Sequence, residues 1–163
     1  MNSTDDLNSK SVITSSRLLS FPVHIVYEAW TNPGHLSKWW GPKDFTNTFN
    51  TFDLRPGGKW SFIMHSPEGG NFINECEFTN IQRNSLLAWK RFSQPLFCIE
   101  VHFQEISANE TNIIFNMIFD DPDLYKKILA FTPEKNEENF DRLEAELAKV
   151  TENNDQRINH SSV

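Results

Sequence analysis

Between Phe45 and Phe119 the apolar residues of this chain recur at every second position, and beyond Thr132 they recur at every third or fourth. A period of two belongs to a strand with one buried face, and a period near 3.6 to a helix with one buried stripe. In the first stretch Phe45 and Phe49, then Trp60, Phe62 and Met64, alternate with polar neighbours on either side of the turn sequence Arg55-Pro56-Gly57-Gly58. A second turn, Pro67-Glu68-Gly69-Gly70, leads into a strand near residues 71–79, and Leu87, Trp89 and Arg91 belong to another. Phe97, Ile99, Val101 and Phe103 alternate strictly with Cys98, Glu100 and His102, and Ser107-Ala108-Asn109-Glu110 turns the chain into Ile113, Phe115, Met117 and Phe119. Strands joined by such short turns are antiparallel, because parallel neighbours need long crossovers.

The flanks of this stretch are helical. Residues 12–21 read as an opening strand, after which Pro22 starts a helix whose stripe is Val23, Val26, Tyr27 and Trp30. Asn32 and Pro33 stop it and begin a second short helix, with Asn32 as cap and Leu36, Trp39 and Trp40 as its apolar face, ended by Gly41-Pro42. Residues 121–129 can make a short helix. Thr132-Pro133-Glu134 then supplies an N-cap, a first-turn proline and an acid near the positive helix end. Phe140, Leu143, Leu147 and Val150 form a single stripe, with Glu137, Glu138, Asp141, Glu144 and Lys149 opposite on a solvated face.

A six- to seven-stranded antiparallel sheet with one apolar face and a long helix with one apolar stripe bury both by wrapping. The expected class is therefore α+β, with the sheet curved around the C-terminal helix and two short helices after the first strand. Because the sheet is wide and the helix narrow, a hollow between them is expected. One domain over residues 11–150 fits the 163-residue length, with the polar segments 1–10 and 151–163 read as disordered tails.

Composition narrows the function classes. Fourteen Phe, five Trp and two Tyr exclude a globally disordered chain. An excess of 22 Asp+Glu over 15 Lys+Arg argues against nucleic acid and anionic membrane surfaces as partners. No apolar run is long enough to span a membrane, so membrane insertion is not expected. Residues 1–10, polar and carrying Asp5 and Asp6, lack the features of a secretion signal, and two distant cysteines make no disulfide framework; a cytoplasmic location is expected. His24, His35, His65, His102 and His160 form no metal-binding pattern, no cofactor motif occurs, and Cys98 reads as a small buried filler.

The inward parity proposes a ligand-binding set. Trp39 and Trp40, before Gly-Pro, can form an aromatic lid. Trp60, Phe62, Met64, Trp89, Phe103 and Met117 point inward from neighbouring strands, and Phe131, Phe140 and Leu143 supply the helix side. Asn74 shares parity with Phe72, Cys76 and Phe78, so Phe72 and Asn74 join the set, whereas Glu75, His65 and His102 read as facing water. No pair of carboxylates converges, and no catalytic residue is assigned.

Several of these features in order resemble the START-like superfamily (SRPBCC) of polyketide cyclases and lipid-transfer domains. They are the opening strand, Pro22-x-x-x-Val26-Tyr27-x-Ala29-Trp30, Trp39-Trp40-Gly41-Pro42, Arg55-Pro56-Gly57-Gly58-x-Trp60, Met64 before Pro67-Glu68-Gly69, and the terminal helix. Within it the chain is most similar to homologues of the C-terminal domain of the activator of the 90-kDa heat-shock-protein ATPase, over residues 11–150. The resemblance implies a helix-grip fold with an internal cavity and a hydrophobic or aromatic small molecule as partner. It leaves open a chaperone-associated role and a cyclase- or dehydratase-type enzyme. Because an exposed sheet edge can pair, the chain is expected as a monomer or weak homodimer.

Overall fold

A computed structural model describes residues 11–161 of the chain, with side chains over residues 11–153. The tail read at residues 1–10 lies outside the described residues.

Seven strands, β1 (Ser11–Leu19), β2 (Thr46–Phe52), β3 (Lys59–His65), β4 (Asn71–Gln82), β5 (Leu86–Arg91), β6 (Cys98–Ser107) and β7 (Glu110–Phe119), form one sheet. β2 to β7 are a meander in which each strand pairs antiparallel with the next, and β7 then pairs antiparallel with β1. The order is therefore β1-β7-β6-β5-β4-β3-β2. Helices α1 (Val23–Thr31) and α2 (Pro33–Trp39) carry the chain from edge strand β1 to the opposite edge strand β2. After β7 come α3 (Pro122–Leu129) and the long α4 (Thr132–Ser161). The architecture is the α+β helix grip that the two periodicities predict. Among the described residues no helix is long and apolar enough to cross a membrane.

Local chemistry sets the boundaries. The Asn32 side chain accepts from the Gly34 N–H at 2.9 Å with Pro33 in the first turn of α2, and the Asp121 side chain does the same for Asp123 at the start of α3. The β2–β3 turn needs glycine at position 58, where a Cβ would lie 2.0 Å from the Asp53 carbonyl oxygen. α4 does not stop at Val150 but runs to Ser161, into the segment read as a tail, because neither Gly nor Pro interrupts residues 151–161.

The strand parities hold through the core. Trp60 and Phe62, Cys76 and Phe78, Leu87 and Trp89, Ile99, Val101 and Phe103, and Ile113 to Phe119 are buried, opposite Phe140, Leu143 and Leu147 of α4. The acidic face of α4 is not simply solvated. Arg17 of β1 reaches Glu137 at 2.6 Å, Asp141 at 2.7 Å and Glu144 at 3.2 Å, tying the helix to the sheet edge. Cys98 is exposed rather than a buried filler, since it occupies the outward parity of β6; Cys76 is the buried thiol.

Candidate functional site

The site begins where α2 ends. Trp40 caps α2 through its N–H to the Leu36 carbonyl at 3.0 Å, and Gly41 follows with φ +104°, a conformation that favours glycine. A Cβ on Gly41 would also lie 2.8 Å from the Met64 methyl carbon, so the backbone here presses directly on the sheet. Two residues of α4 hold this loop. Asn139 Oδ1 accepts from the Gly41 N–H at 3.0 Å. Arg142 donates to five carbonyls, those of Lys38, Trp40, Gly41, Pro42 and Phe45, at 2.9–3.2 Å. Burial lowers the basicity of Arg142, but an arginine this far above neutrality remains a cation.

Between this loop, the first turns of α4 and the inner sheet face lies a hollow of about 160 Å³. Its apolar walls are Trp40 just after α2, Phe62 and Met64 of β3, Trp89 of β5, Phe97 just before β6, Ile99 of β6, and Phe115 and Met117 of β7. Its polar groups are Asn74, Arg91, Lys135, Asn136 and Asn139. Arg91, at the end of β5, donates to Asn74 Oδ1 across the strand pair, to the Pro95 carbonyl at 2.8 Å, to Ser93 Oγ at 3.3 Å and to the Gln94 carbonyl at 3.5 Å. Its guanidinium also lies 5.1 Å from the centre of the Phe97 ring. Burial lowers its basicity without neutralising it. Asn136 Nδ2 donates to Ser15 Oγ at 3.1 Å and lies 3.7 Å from Met117 Sδ. No Asp, Glu, His or Cys lines the hollow. The adjacent Cys76 thiol is pushed up to about 12 by burial, against the opposing charge of Arg91, so it stays protonated at neutral pH. A larger depression of about 390 Å³ shares Arg91 and Phe97 but is lined by the outward residues Cys98 and Ile118 with Asp120 and Asp121. The inner hollow, walled by the inward face of the sheet, is the one the fold builds.

Of the residues expected to contact a ligand, Trp40, Phe62, Met64, Asn74, Trp89 and Met117 line the hollow. Five others are in the closed core. Trp39 donates its Nε1–H to the Ala29 carbonyl at 2.9 Å and packs edge-on to Trp30, sealing α1 against α2. Trp60 is enclosed by Phe52, Phe62 and Phe78, and Phe103 by Tyr27 and Trp30. Phe140 and Leu143 are fully buried beyond the end of the hollow, Phe140 edge-on to Phe115. Two more stand largely in solvent. Phe72 is 54% exposed, its ring 6.3 Å from that of Phe45, since parity chooses a face of β4 but cannot supply a cover at the strand's end. Phe131 is 55% exposed because it precedes α4 and does not share its stripe.

The lining residues outside the expected set are Gly41, Pro42, Phe97, Ile99 and Phe115 and the polar Arg91, Lys135, Asn136 and Asn139. A signal existed for Asn136: the stripe of Phe140, Leu143 and Leu147, stepped back four residues, lands on it. Among the described residues no group of three or more His, Cys, Asp or Glu could hold a metal ion.

An antiparallel sheet gripping a C-terminal helix above a hollow defines the START-like, SRPBCC-type class. The chain belongs to the family described as activator of Hsp90 ATPase homolog 1-like protein, whose model matches residues 20–148. Solved structures share the fold. A protein from Nitrosomonas europaea is 26% identical with a TM-score of 0.78, covering 86% of this chain and 96% of that one. One from Arthrobacter aurescens is 21% identical, TM-score 0.78, covering 85% and 87%, and one from Mycobacterium smegmatis is 20% identical, TM-score 0.76, covering 86% and 92%. No curated protein matches the chain.

Proposed function

We propose that this protein is a cytoplasmic binding module that holds a small apolar or aromatic molecule in the hollow between the sheet and α4. The observation that carries the reading is the aromatic wall of Trp40, Phe62, Trp89, Phe97 and Phe115 around an incompletely filled space. The hollow of about 160 Å³ reaches the surface, so its aromatic walls leave a space that a guest can enter. An apolar cavity of about 150 Å³ is large enough for benzene, and drug-sized sites start near 300 Å³. The hollow therefore suits a single ring with a short substituent. Met64 and Met117 can re-pack to admit somewhat more. A two-chain lipid does not fit without displacing the loop that Arg142 holds.

Binding is favoured over reaction because the lining offers cations and amides but no carboxylate, imidazole or thiol to move a proton. Native mass spectrometry of gently purified protein tests the reading. A reproducible extra mass of one to a few hundred daltons, lost on denaturation, is expected; a protein that stays apo and takes up no aromatic probe would overturn it.

The family's description as Hsp90 ATPase activators favours a second reading, a chaperone-associated role. That role requires stimulation of the chaperone's ATPase by this chain at micromolar concentration, and an unchanged rate would remove it.

A further inference from the structure

The chain carries 22 Asp+Glu against 15 Lys+Arg, yet the hollow is lined by Arg91 and Lys135 and by no acid. The guanidinium of Arg91 is the sharper of the two signals. The four acceptors it reaches, Asn74 Oδ1, Ser93 Oγ and the carbonyls of Gln94 and Pro95, are all neutral oxygens. Neutral acceptors orient a guanidinium but leave its charge uncompensated, and a charge drawn out of water is held best when a counter-ion meets it. Asp120 and Asp121 line the outer depression that Arg91 also reaches, whereas no acid lines the hollow, so an anion held there meets no competing carboxylate. Across the hollow stand Lys135, Asn136 and Asn139, in the first turns of α4, where the helix dipole adds positive potential. Lys135 Nζ is 3.3 Å from Glu138 Oε2, an ion pair outside hydrogen-bond alignment, which leaves other donors of the ammonium available.

We infer that the guest of the hollow is a small aromatic carboxylate, its ring between Trp40, Phe62, Trp89 and Phe115 and its carboxylate on Arg91, with Lys135 as a second cation. This rests on the ligand-binding reading above. Four of the five guanidinium N–H groups are engaged by the neutral acceptors, which leaves one on Nη1, together with the charge, for a carboxylate oxygen. The Phe97 ring, 5.1 Å from the guanidinium carbon, adds a cation–π contact that helps to hold Arg91 at the hollow. The aromatic walls alone would accept a neutral ring, so the charge sets which ring is preferred.

The test uses the full chain and matched probes: benzoate, trans-cinnamate and 2-naphthoate, each beside its neutral primary amide. Affinity is read by calorimetry and by quenching of Trp40 and Trp89 fluorescence, and the place of binding by NMR shifts of the Asn74 and Asn136 side-chain amides. At least one acid is expected to bind about tenfold or more tighter than its amide, a preference that weakens with salt. Arg91→Met should abolish the preference while amide binding survives, and Lys135→Met should reduce it by a smaller factor. If Arg91→Met does not fold, Arg91→Gln serves instead, removing the charge while keeping an amide donor, and it should lose the preference in the same way. Equal affinity for acid and amide overturns the inference and leaves the binding module standing. Acid binding that shifts neither Asn74 nor Asn136 also overturns it. If neither acids nor amides bind, the inference and the ligand-binding reading fall together.

Discussion

The two ends of the sheet–helix interface use the same strand positions and come out differently. At one end Phe103 and Ile113 are buried, Phe103 against Tyr27 and Trp30 of α1, and Phe140, Leu143 and Leu147 of α4 are buried as well. At the other, Ile99 and Met117, on the same faces of the same strands β6 and β7, look into a hollow. The sheet does not change between them; the helix does. Its inward positions pass from Phe and Leu to Asn136 and Asn139, whose amides bond Ser15 and the Gly41 backbone instead of filling space. An apolar stripe on α4 closes the grip, and a polar beginning to the same stripe props it open.

The largest effect that would test this difference is a truncation at each end. Trp60→Ala in the closed core should lose about 3–5 kcal/mol of stability in urea denaturation, because its neighbours leave a cavity they cannot fill. Met64→Ala, at a wall already facing empty space, should lose less than half as much. Equal losses would mean the two ends are packed alike.

Arg142→Ala should follow, at about 2–4 kcal/mol, since five carbonyls each lose one donor at once, although Trp40 keeps Asn47 and Pro42 keeps the Phe45 N–H. Amide exchange over residues 41–45 should accelerate with it, and Arg142→Lys should not restore the protection, having too few donors in the wrong geometry.

Cys76 lies at the boundary, paired across strands with Trp60 on one side and Arg91 on the other. Its thiol is raised from an ordinary value of 9.0 to about 12, chiefly by burial. A group raised on folding stabilises fully below its unfolded value and loses that stabilisation as pH rises through the folded one. Wild type should therefore weaken between about pH 9 and 12. Cys76→Ala should flatten that part of the slope, a difference on the order of 1–3 kcal/mol in denaturation series run across that range. Identical slopes would place the thiol in contact with water.

The smallest change in stability, and the sharpest in function, is expected from Asn136→Leu. Extending the apolar stripe by one position should alter stability by no more than about 1 kcal/mol, as gained burial offsets the lost bond to Ser15. Aromatic probes should lose tenfold or more in affinity. Undiminished binding would show that the hollow is not what receives them.

The fold was legible because periodicity is local and redundant. Strict alternation from Phe97 to Phe103 and from Ile113 to Phe119 determined faces, turns such as Pro67-Glu68-Gly69-Gly70 determined neighbours, and the Phe140-Leu143-Leu147 stripe determined what the sheet must cover. The site was legible only on the sheet side. Phe62, Met64, Asn74, Trp89 and Met117 follow from parity and Trp40 from the aromatic pair before Gly41-Pro42, but parity cannot tell Met117 in the hollow from Phe103 in the core. Nor could it show Phe72 and Phe131 standing in solvent, because each lacks a cover rather than a face.

The sequence by itself determined the elements, the antiparallel meander of β2 to β7 and the side of each strand that turns inward, since each depends on neighbours a few residues apart. The place of β1 beside β7 was not among these, because it joins residues about a hundred positions apart. The tertiary structure alone decided where the grip closes and where it stays open. Arg142 meets the carboxyl side of α2 across about a hundred positions of chain, and Arg91 finds neutral oxygens in place of an acid. Those pairings depend on which polar groups the folded backbone leaves within reach, and no local period records them.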